Sequence, residues 1–142
     1  MRKLVLLVLM SGILAACGST AQATATPTLT PATLSRPASP VTIKLVSPTN
    51  GEVVHGKMVS VVVSITGGTV TPTYSTHVAP TVGHVHLYFN NQLVYMSYTL
   101  HQDLPVQPGL EYTMYAEFVA QDHFPFSPRD VTHTIFFTVS PS

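Results

Sequence analysis

Residues 41–142 of this chain are predicted to form an all-β domain, an antiparallel β-sandwich of about seven strands. Three features of the sequence predict this fold. From residue 41 onward, β-branched and aromatic residues alternate with polar ones, as in strands that bury one face. Turn-forming Pro, Gly and Asn residues separate the alternating segments. No segment places its apolar residues at helical spacing, and many short strands within about a hundred residues are typical of a two-sheet sandwich.

The first half of the domain supplies three of the predicted strands. Residues 41–46 form the first, and the turn composition of residues 47–51 ends it. Residues 58–66 form the second, because valine or isoleucine occupies every other position there. A long loop rich in Thr, Pro and Tyr then leads to the third strand, residues 84–89, whose odd-numbered residues are apolar and face the core.

The second half supplies four more strands. Asn90-Asn91 suits a tight hairpin turn that needs positive φ, so residues 92–96 return beside the third strand as the fourth. Residues 97–104 are predicted as the fifth strand. Residues 112–120 and 131–139, which alternate in the same way, are predicted as the sixth and seventh.

The N-terminal segment carries a targeting pattern. Arg2 and Lys3 precede a short apolar run over residues 4–14, and the run ends in Leu14-Ala15-Ala16-Cys17. This layout resembles the lipobox of bacterial lipoproteins. The resemblance implies a signal peptide over residues 1–16 and a Cys17 thiol that carries an acyl lipid such as palmitate. It places the mature protein outside the cytoplasm, anchored to the bacterial cell membrane or cell surface. An ordinary signal peptide and a free thiol are the alternatives.

Between the anchor and the domain, residues 17–40 are predicted to be a disordered tether. The segment is rich in Thr, Ala and Pro, and it repeats an X-Pro pattern that disfavours helix and strand pairing. It offers few large apolar residues to bury, which is typical of an extended linker.

Composition narrows the classes of function. Beyond residue 16 the chain has four Lys or Arg and six Asp or Glu residues, a net charge of −2, which argues against nucleic acid as a partner. Cys17 is the only cysteine, so its lipidation leaves no disulfide and no thiolate nucleophile. The sequence also lacks a nucleophile elbow, a phosphate loop and a zinc-protease motif, so we do not expect an enzyme.

Two segments resemble immunoglobulin-like domains. Pro108-Gly109 followed by Tyr112 looks like the tyrosine corner of that fold, and residues 47–54 look like the start of many bacterial immunoglobulin-like repeats. The resemblance implies an immunoglobulin-like sandwich without the disulfide and core tryptophan of antibody domains. It also implies that the third, sixth and seventh strands share one sheet in the order seventh, sixth, third.

Histidine is the main candidate for chemistry, since the chain has seven histidines and only 8% charged residues. His84 and His86 lie two apart on a strand, so they project from one face, and the apolar alternation predicts that this face is outward. His123 follows the sixth strand at the same pole. These three side chains are predicted to bind copper or zinc, since imidazole suits both metals.

Four further residues are predicted as additional ligands or as partners of the ligands. Asp122 is a candidate ligand or hydrogen-bond acceptor, and Glu117 a carboxylate that holds an imidazole tautomer. His77 and His133 are weaker candidates, and the parity of His133 points it toward the core. Met58, Met96 and Met114 are considered as soft copper ligands, although packing explains Met58 and Met114 better.

One further resemblance links these histidines. The segment Gly83-His84-Val85-His86, the Pro108-Gly109 corner and Asp122-His123 together resemble a group of uncharacterised bacterial lipoproteins with an immunoglobulin-like domain. The sequence therefore predicts a membrane-anchored binding module that holds a divalent metal. The alternative is a structural or adhesive module without metal that binds a surface protein or a glycan. Its exposed aromatic residues would be Tyr74, Tyr88, Tyr95 and Tyr98.

Overall fold

The computed structural model describes residues 35–141, which fold into ten strands and no helix. The strands are β1 (Thr42–Ser47), β2 (Glu52–Val54), β3 (Met58–Thr66), β4 (Thr69–Val70), β5 (Val82–Phe89), β6 (Gln92–Ser97), β7 (His101–Pro105), β8 (Glu111–Ala120), β9 (Pro125–Val131) and β10 (Ile135–Val139). The predicted all-β class is confirmed. The predicted signal peptide, Cys17 and most of the predicted tether lie outside the described residues.

The strands form two sheets. One contains three strands in the order β1-β3-β7, and the other contains seven, with the path β2-β10-β8-β5-β4. In the larger sheet β6 pairs with β5 and β9 pairs with β8. All pairs are antiparallel except β2 with β10 and β4 with β5. The order β10-β8-β5 confirms the predicted sheet order of the seventh, sixth and third strands.

Three strands were not predicted from the sequence. β2 and β4 are only three and two residues long, too short for an alternating pattern to show. β9 contains Pro125 and Pro128, which argue against a strand in the sequence, but among residues 35–141 its only strand partner is β8, so it is an edge strand. The predicted seventh strand is therefore divided. Of its residues 131–139, Val131 ends β9 and residues 135–139 form β10.

The core lies between the two sheets. It is built from alternate residues of β3, β5, β8 and β10, among them Val61, Leu87, Phe118 and Phe137. The predicted tyrosine corner is confirmed, since the backbone N–H of Gln107 donates to Tyr112 Oη at 3.0 Å.

The turn between β5 and β6 is also as predicted. Asn90 and Asn91 have φ of 50° and 64°, and Phe89 pairs with Gln92 across the hairpin. Both asparagines therefore adopt the left-handed conformation that a two-residue hairpin needs. The turn carries the chain into β6, whose first five residues are all exposed.

The last residues of the predicted tether pack against the sandwich. The carbonyl of Pro37 accepts a hydrogen bond from the backbone N–H of Ser127 at 3.0 Å. Arg36 donates to the Pro125 carbonyl at 3.0 Å and forms an ion pair with Asp122. The folded unit thus begins before residue 41, where the sequence placed its start. Nothing in the local composition signals this, because the contacts are long-range. Within residues 35–141, no helix is long and apolar enough to cross a membrane.

Candidate metal centre

The candidate site lies on the face of the seven-stranded sheet that is turned away from the core. Val85, Leu87 and Phe89 of β5 point inward, so His84 and His86 project from the opposite face, as the alternation predicts. Their exposure is not as predicted, since His84 is 0% and His86 5% exposed. The loop after β4 and the turn after β8 cover them. An alternating pattern reports which face a residue occupies, but not what a distant loop lays on that face.

His123 reaches the site from the turn between β8 and β9. The backbone N–H of Ala120 donates to the Phe124 carbonyl at 3.0 Å, and that of His123 donates to the Ala120 carbonyl at 2.9 Å. The enclosed three-residue loop ends in His123, which has φ of 64°. Loops of this kind place a residue in the left-handed region at that point, and glycine is usual there. Histidine therefore occupies a backbone position that costs roughly 1–2 kcal/mol for a residue with a Cβ.

His86 and His123 face one another through their ring nitrogens. His86 Nε2 lies 3.4 Å from His123 Nδ1, and the two rings are inclined by 15°. The ring centroids are 5.7 Å apart. This distance is about the sum of the 3.4 Å between the two nitrogens and the distance from each nitrogen to the centre of its own ring. The two nitrogens therefore lie on the line that joins the ring centres. The rings are therefore nearly coplanar and meet edge to edge. One proton between them satisfies both nitrogens.

Burial keeps this pair neutral. Burial, and next the neighbouring His123, lower the pKa of His86 to about 4. The pKa of His123 is also lowered, first by burial and then by His84, while Asp122 acts in the opposite direction. The lowered pKa values thus favour the neutral form of both imidazoles at neutral pH. This is the form that binds metal ions.

His84 is near the pair but its nitrogens are engaged elsewhere. Its ring stacks on that of His123, with centroids 4.3 Å apart. Nδ1 lies 2.6 Å from the carbonyl oxygen of Thr71, and Nε2 lies 3.2 Å from that of Gln121. His84 therefore connects β5 to the covering loop and turn. Within residues 35–141, no group of three His, Cys, Asp or Glu side chains is placed to hold a metal ion. The structure brings the three predicted histidines together, but only two present nitrogens to a common point.

The carboxylate of Asp122 forms an ion pair with Arg36 and does not hydrogen-bond to the histidines. Arg36 Nη1 and Nη2 donate to its two carboxylate oxygens at 2.6 and 2.8 Å. These hydrogen bonds hold the pKa of Asp122 below its ordinary value. The predicted role of Asp122 as a ligand or imidazole acceptor does not fit this arrangement. Sequence reasoning missed Arg36, which the linker composition assigned to the tether.

Glu117 likewise hydrogen-bonds to Arg129 and to the hydroxyl of Tyr88, and not to an imidazole. It is the register partner of His86 and is 1% exposed. Arg129 donates to its two oxygens from Nε and Nη2, each at 2.6 Å, and Tyr88 Oη donates at 3.1 Å. Burial, and next the Glu117 charge, raise the pKa of Tyr88 to about 12. The predicted tautomer-holding role of Glu117 is therefore replaced by a buried charge network beside the histidines.

The remaining predicted histidines lie elsewhere. His77 is exposed in the loop after β4. His133 is exposed between β9 and β10, and with Lys44 and Ile135 it lines a groove of about 460 Å³. The prediction that His133 points toward the core is wrong. The chain leaves the strand ladder at residues 132–134, so the parity of β10 does not extend to it.

Met96 and Tyr98, from β6 and the residues that follow it, also lie beside the histidines. Met96 on β6 is the register partner of His86 and is 45% exposed. Tyr98 follows β6, and its ring meets that of His84 edge-on at 5.1 Å between centroids. Met58, to which the sequence assigned a packing role, is 49% exposed at the start of β3, whereas Met114 is fully buried as expected. The hairpin turn at Asn90 alone would set Tyr95 opposite His86, and the register shift between Leu87 and Tyr88 brings Met96 there instead.

Comparisons with known proteins bear on the fold. No protein-family model matches the chain, and neither does any curated protein. Fibronectin(III)-like modules of CbhA from Clostridium thermocellum align with a TM-score of 0.51 at 17% identity, over 69% of this chain and 94% of that one. The CARDB domain of a Pyrococcus furiosus protein, in complex with di-metal ions, aligns with a TM-score of 0.40 at 18% identity, over 78% and 99% of the two chains. The likeness to the CbhA modules shows an immunoglobulin-like sandwich.

Proposed function

We propose that this protein is a lipid-anchored, extracytoplasmic binding module that holds a copper or zinc ion between His86 and His123. The observation that carries the proposal is the 3.4 Å contact between His86 Nε2 and His123 Nδ1. An imidazole from β5 and one from the turn after β8 thus present nitrogens to each other on a covered face of the sheet. The bound ion takes the place of the proton that the two nitrogens share.

The spacing supports this function. With metal–nitrogen bonds of about 2.0–2.1 Å, two nitrogen ligands lie about 3.3 Å apart at a tetrahedral ion and about 4.1 Å apart at a linear one. The observed 3.4 Å is at the short end of that range. Little movement of the rings is therefore needed to admit an ion. Both imidazoles are already neutral, so binding does not have to displace protons from two imidazolium groups.

The backbone of His123 is a second, independent support. A left-handed histidine is uncommon, and strained backbone positions concentrate at functional sites. Glycine would form the same turn without strain but could not reach His86. Stacking of His84 on His123 fixes the orientation of the ring, and the two carbonyl contacts of His84 fix His84 itself.

The proposed location depends on the N-terminal pattern. Arg2 and Lys3, the short apolar run and Leu14-Ala15-Ala16-Cys17 support lipidation at Cys17 and export from the cytoplasm. A module at a membrane surface meets metal ions from outside the cell before they reach the cytoplasm. Storage, sensing or delivery of the ion are the roles that fit such a position.

The test is metal binding by the mature chain, residues 17–142, with Cys17→Ser so that neither lipid nor thiol binds the ion. Metal content after loading and dialysis is measured together with the thermal midpoint at rising Cu or Zn concentration. A ligand of the native state raises the midpoint with concentration. We expect one ion per chain and a midpoint shift that His123→Gly abolishes. No bound ion, or an equal shift in His123→Gly, contradicts the proposal.

The exposed strand β6 favours a second candidate function, adhesion between copies of this chain. Leu93, Val94, Tyr95 and Met96 are each at least 40% exposed, and within residues 35–141 β6 pairs only with β5. Edge strands are usually protected by charge or proline, and β6 has neither. An uncharged strand matches its own uncharged copy in an antiparallel pair. Sedimentation of the metal-free chain tests this: we expect a concentration-dependent dimer that Tyr95→Lys dissociates, and a monomer at all concentrations contradicts it.

A further inference from the structure

The side chain next to His86 across the β5–β6 pair is a thioether. Met96 and His86 are register partners in antiparallel strands. Directly opposite residues have Cβ atoms about 4.5–5.5 Å apart and project from the same face of the sheet. Met96 is 45% exposed. A long thioether side chain therefore lies beside His86 on the outer face of the sheet, and it is not used for packing in the core.

The other donors near the pair are already engaged. Arg129 occupies both oxygens of Glu117, and Arg36 occupies both oxygens of Asp122. The nitrogens of His84 face backbone carbonyls. Of the side chains described around the pair, His86, His123 and Met96 keep a nitrogen or sulfur that no arginine or backbone carbonyl engages. Zinc in proteins is almost always four-coordinate, with Cys, His or carboxylate ligands, and thioether sulfur selects for Cu(I).

The direction of the imidazoles agrees with this ion. The rings are nearly coplanar, and their nitrogens lie on the line that joins the ring centres. With metal–nitrogen bonds of about 2.0–2.1 Å, the 3.4 Å separation gives an N–metal–N angle of about 110–115°. A small turn of both rings then places a three-coordinate ion between the two nitrogens.

We propose that the site is selective for Cu(I), which His86 Nε2, His123 Nδ1 and Met96 Sδ bind in a three-coordinate arrangement. This inference rests on the proposed function, because it assumes that the imidazole pair binds metal. It adds the identity and oxidation state of the ion and a third ligand on β6. No electron transfer is involved, since the ion binds as Cu(I) and stays Cu(I).

The experiment is an anaerobic competition for Cu(I) against the chromophoric chelator bicinchoninate, with the Cys17→Ser mature chain. Met96→Leu removes the sulfur at nearly constant volume. Met58→Leu is the matched control, because Met58 is 49% exposed on the other sheet. We expect Met96→Leu to weaken Cu(I) binding about tenfold or more and to leave Zn(II) binding unchanged. Met58→Leu should match the wild type for both ions.

X-ray absorption at the copper edge gives a second readout that does not depend on affinity. In selenomethionine-labelled protein, we expect copper–selenium scattering, which disappears in Met96→Leu and persists in Met58→Leu. Equal Cu(I) affinity of Met96→Leu and wild type, or copper with nitrogen neighbours alone, overturns the inference. If His123→Gly still abolishes binding in that case, the proposed imidazole site stands. Absence of binding of Cu(I), Cu(II) and Zn(II) to the wild type refutes both.

Discussion

His123 Nδ1 lies 3.4 Å from His86 Nε2, although 37 positions separate the two residues in the chain. The contact depends on the pairing of β5 with β8, which sets Gly83 opposite Ala120 and so brings the start of β5 beside the turn that follows β8. It also depends on the left-handed backbone of His123, which turns the ring over the sheet. Two unrelated features of the fold thus converge on one pair of nitrogens.

Replacement of His123 separates backbone strain from ring chemistry. His123→Gly removes the ring, but it also removes a left-handed cost of roughly 1–2 kcal/mol, so we expect the free energy of unfolding to change by about 1 kcal/mol or less. His123→Ala loses the ring and keeps the strain, so it should be less stable than His123→Gly. Urea unfolding at pH 7 measures both. Equal stability of the two variants would show that the left-handed backbone is not strained.

Acid should destabilise the fold through the histidine pair. His86 has a pKa of about 4 when folded and about 6.5 when unfolded, so the unfolded chain binds more protons between these values. The stability that neutral His86 provides is therefore complete above pH 6.5 and is lost as the pH falls toward 4. Since one pKa unit corresponds to about 1.4 kcal/mol and the two values differ by about 2.5 units, we expect a loss of about 3 kcal/mol from this residue by pH 4.

The control for this pH effect is a histidine outside the site. His86→Gln should flatten the stability profile between pH 7 and pH 4.5. His55→Gln should not, because His55 is an exposed residue between β2 and β3, outside the imidazole pair. Urea unfolding across this range measures the slope. If His86→Gln leaves the slope of stability against pH unchanged, the His86 imidazole of the wild type is protonated as readily in the folded protein as in the unfolded chain.

The Glu117–Arg129 pair should be structural. Arg129→Ala leaves a carboxylate that is 1% exposed with only the Tyr88 hydroxyl as partner. Breaking a buried pair in this way typically costs 3–5 kcal/mol, and the exposure of about half of Arg129 reduces our expectation to about 2 kcal/mol or more. Arg129→Ala combined with Glu117→Gln should recover part of the loss. Thermal unfolding measures it, and a stable Arg129→Ala variant contradicts the account.

Lipidation should depend on Cys17 alone. In a bacterial host we expect the wild-type chain to incorporate labelled palmitate and to sediment with membranes. Cys17→Ser should do neither, while Ser19→Ala is the neighbouring control that should behave as the wild type. Mass spectrometry of the purified protein should find an acylated N-terminal Cys17. An unmodified chain that retains residues 1–16 would contradict the lipobox assignment.

Local patterns predicted the fold well. Alternation identified β3, β5 and β8, and the asparagine pair and the Pro-Gly corner identified a hairpin and the tyrosine corner. The strands that were missed are either too short for a pattern, as β2 and β4 are, or carry proline, as β9 does. An edge strand tolerates proline, because the N–H groups on its outer side have no neighbouring strand to bond. A single sequence does not reveal that β9 is such an edge strand beside β8.

The site was predictable in membership but not in detail. Topology placed His84, His86 and His123 at one pole, and the structure brings their rings together. The sequence could not show that backbone carbonyls of Thr71 and Gln121 engage His84, because loop conformation decides it. For the same reason it could not show that Arg36, from the predicted tether, binds Asp122. Hydrogen bonds between distant segments thus determine which of the predicted ligands remain free to bind an ion.

The most direct test of the imidazole pair is nitrogen NMR of the histidine rings. In the ¹⁵N-labelled Cys17→Ser chain, the ring nitrogens of all seven histidines can be followed during titration with Cu(I) or Zn(II). We predict that the ¹⁵N chemical shifts of His86 Nε2 and His123 Nδ1 change together and reach saturation at one equivalent of metal. The chemical shifts of the His101 and His133 nitrogens should not change. Saturating metal that leaves His86 Nε2 and His123 Nδ1 unchanged would contradict the account.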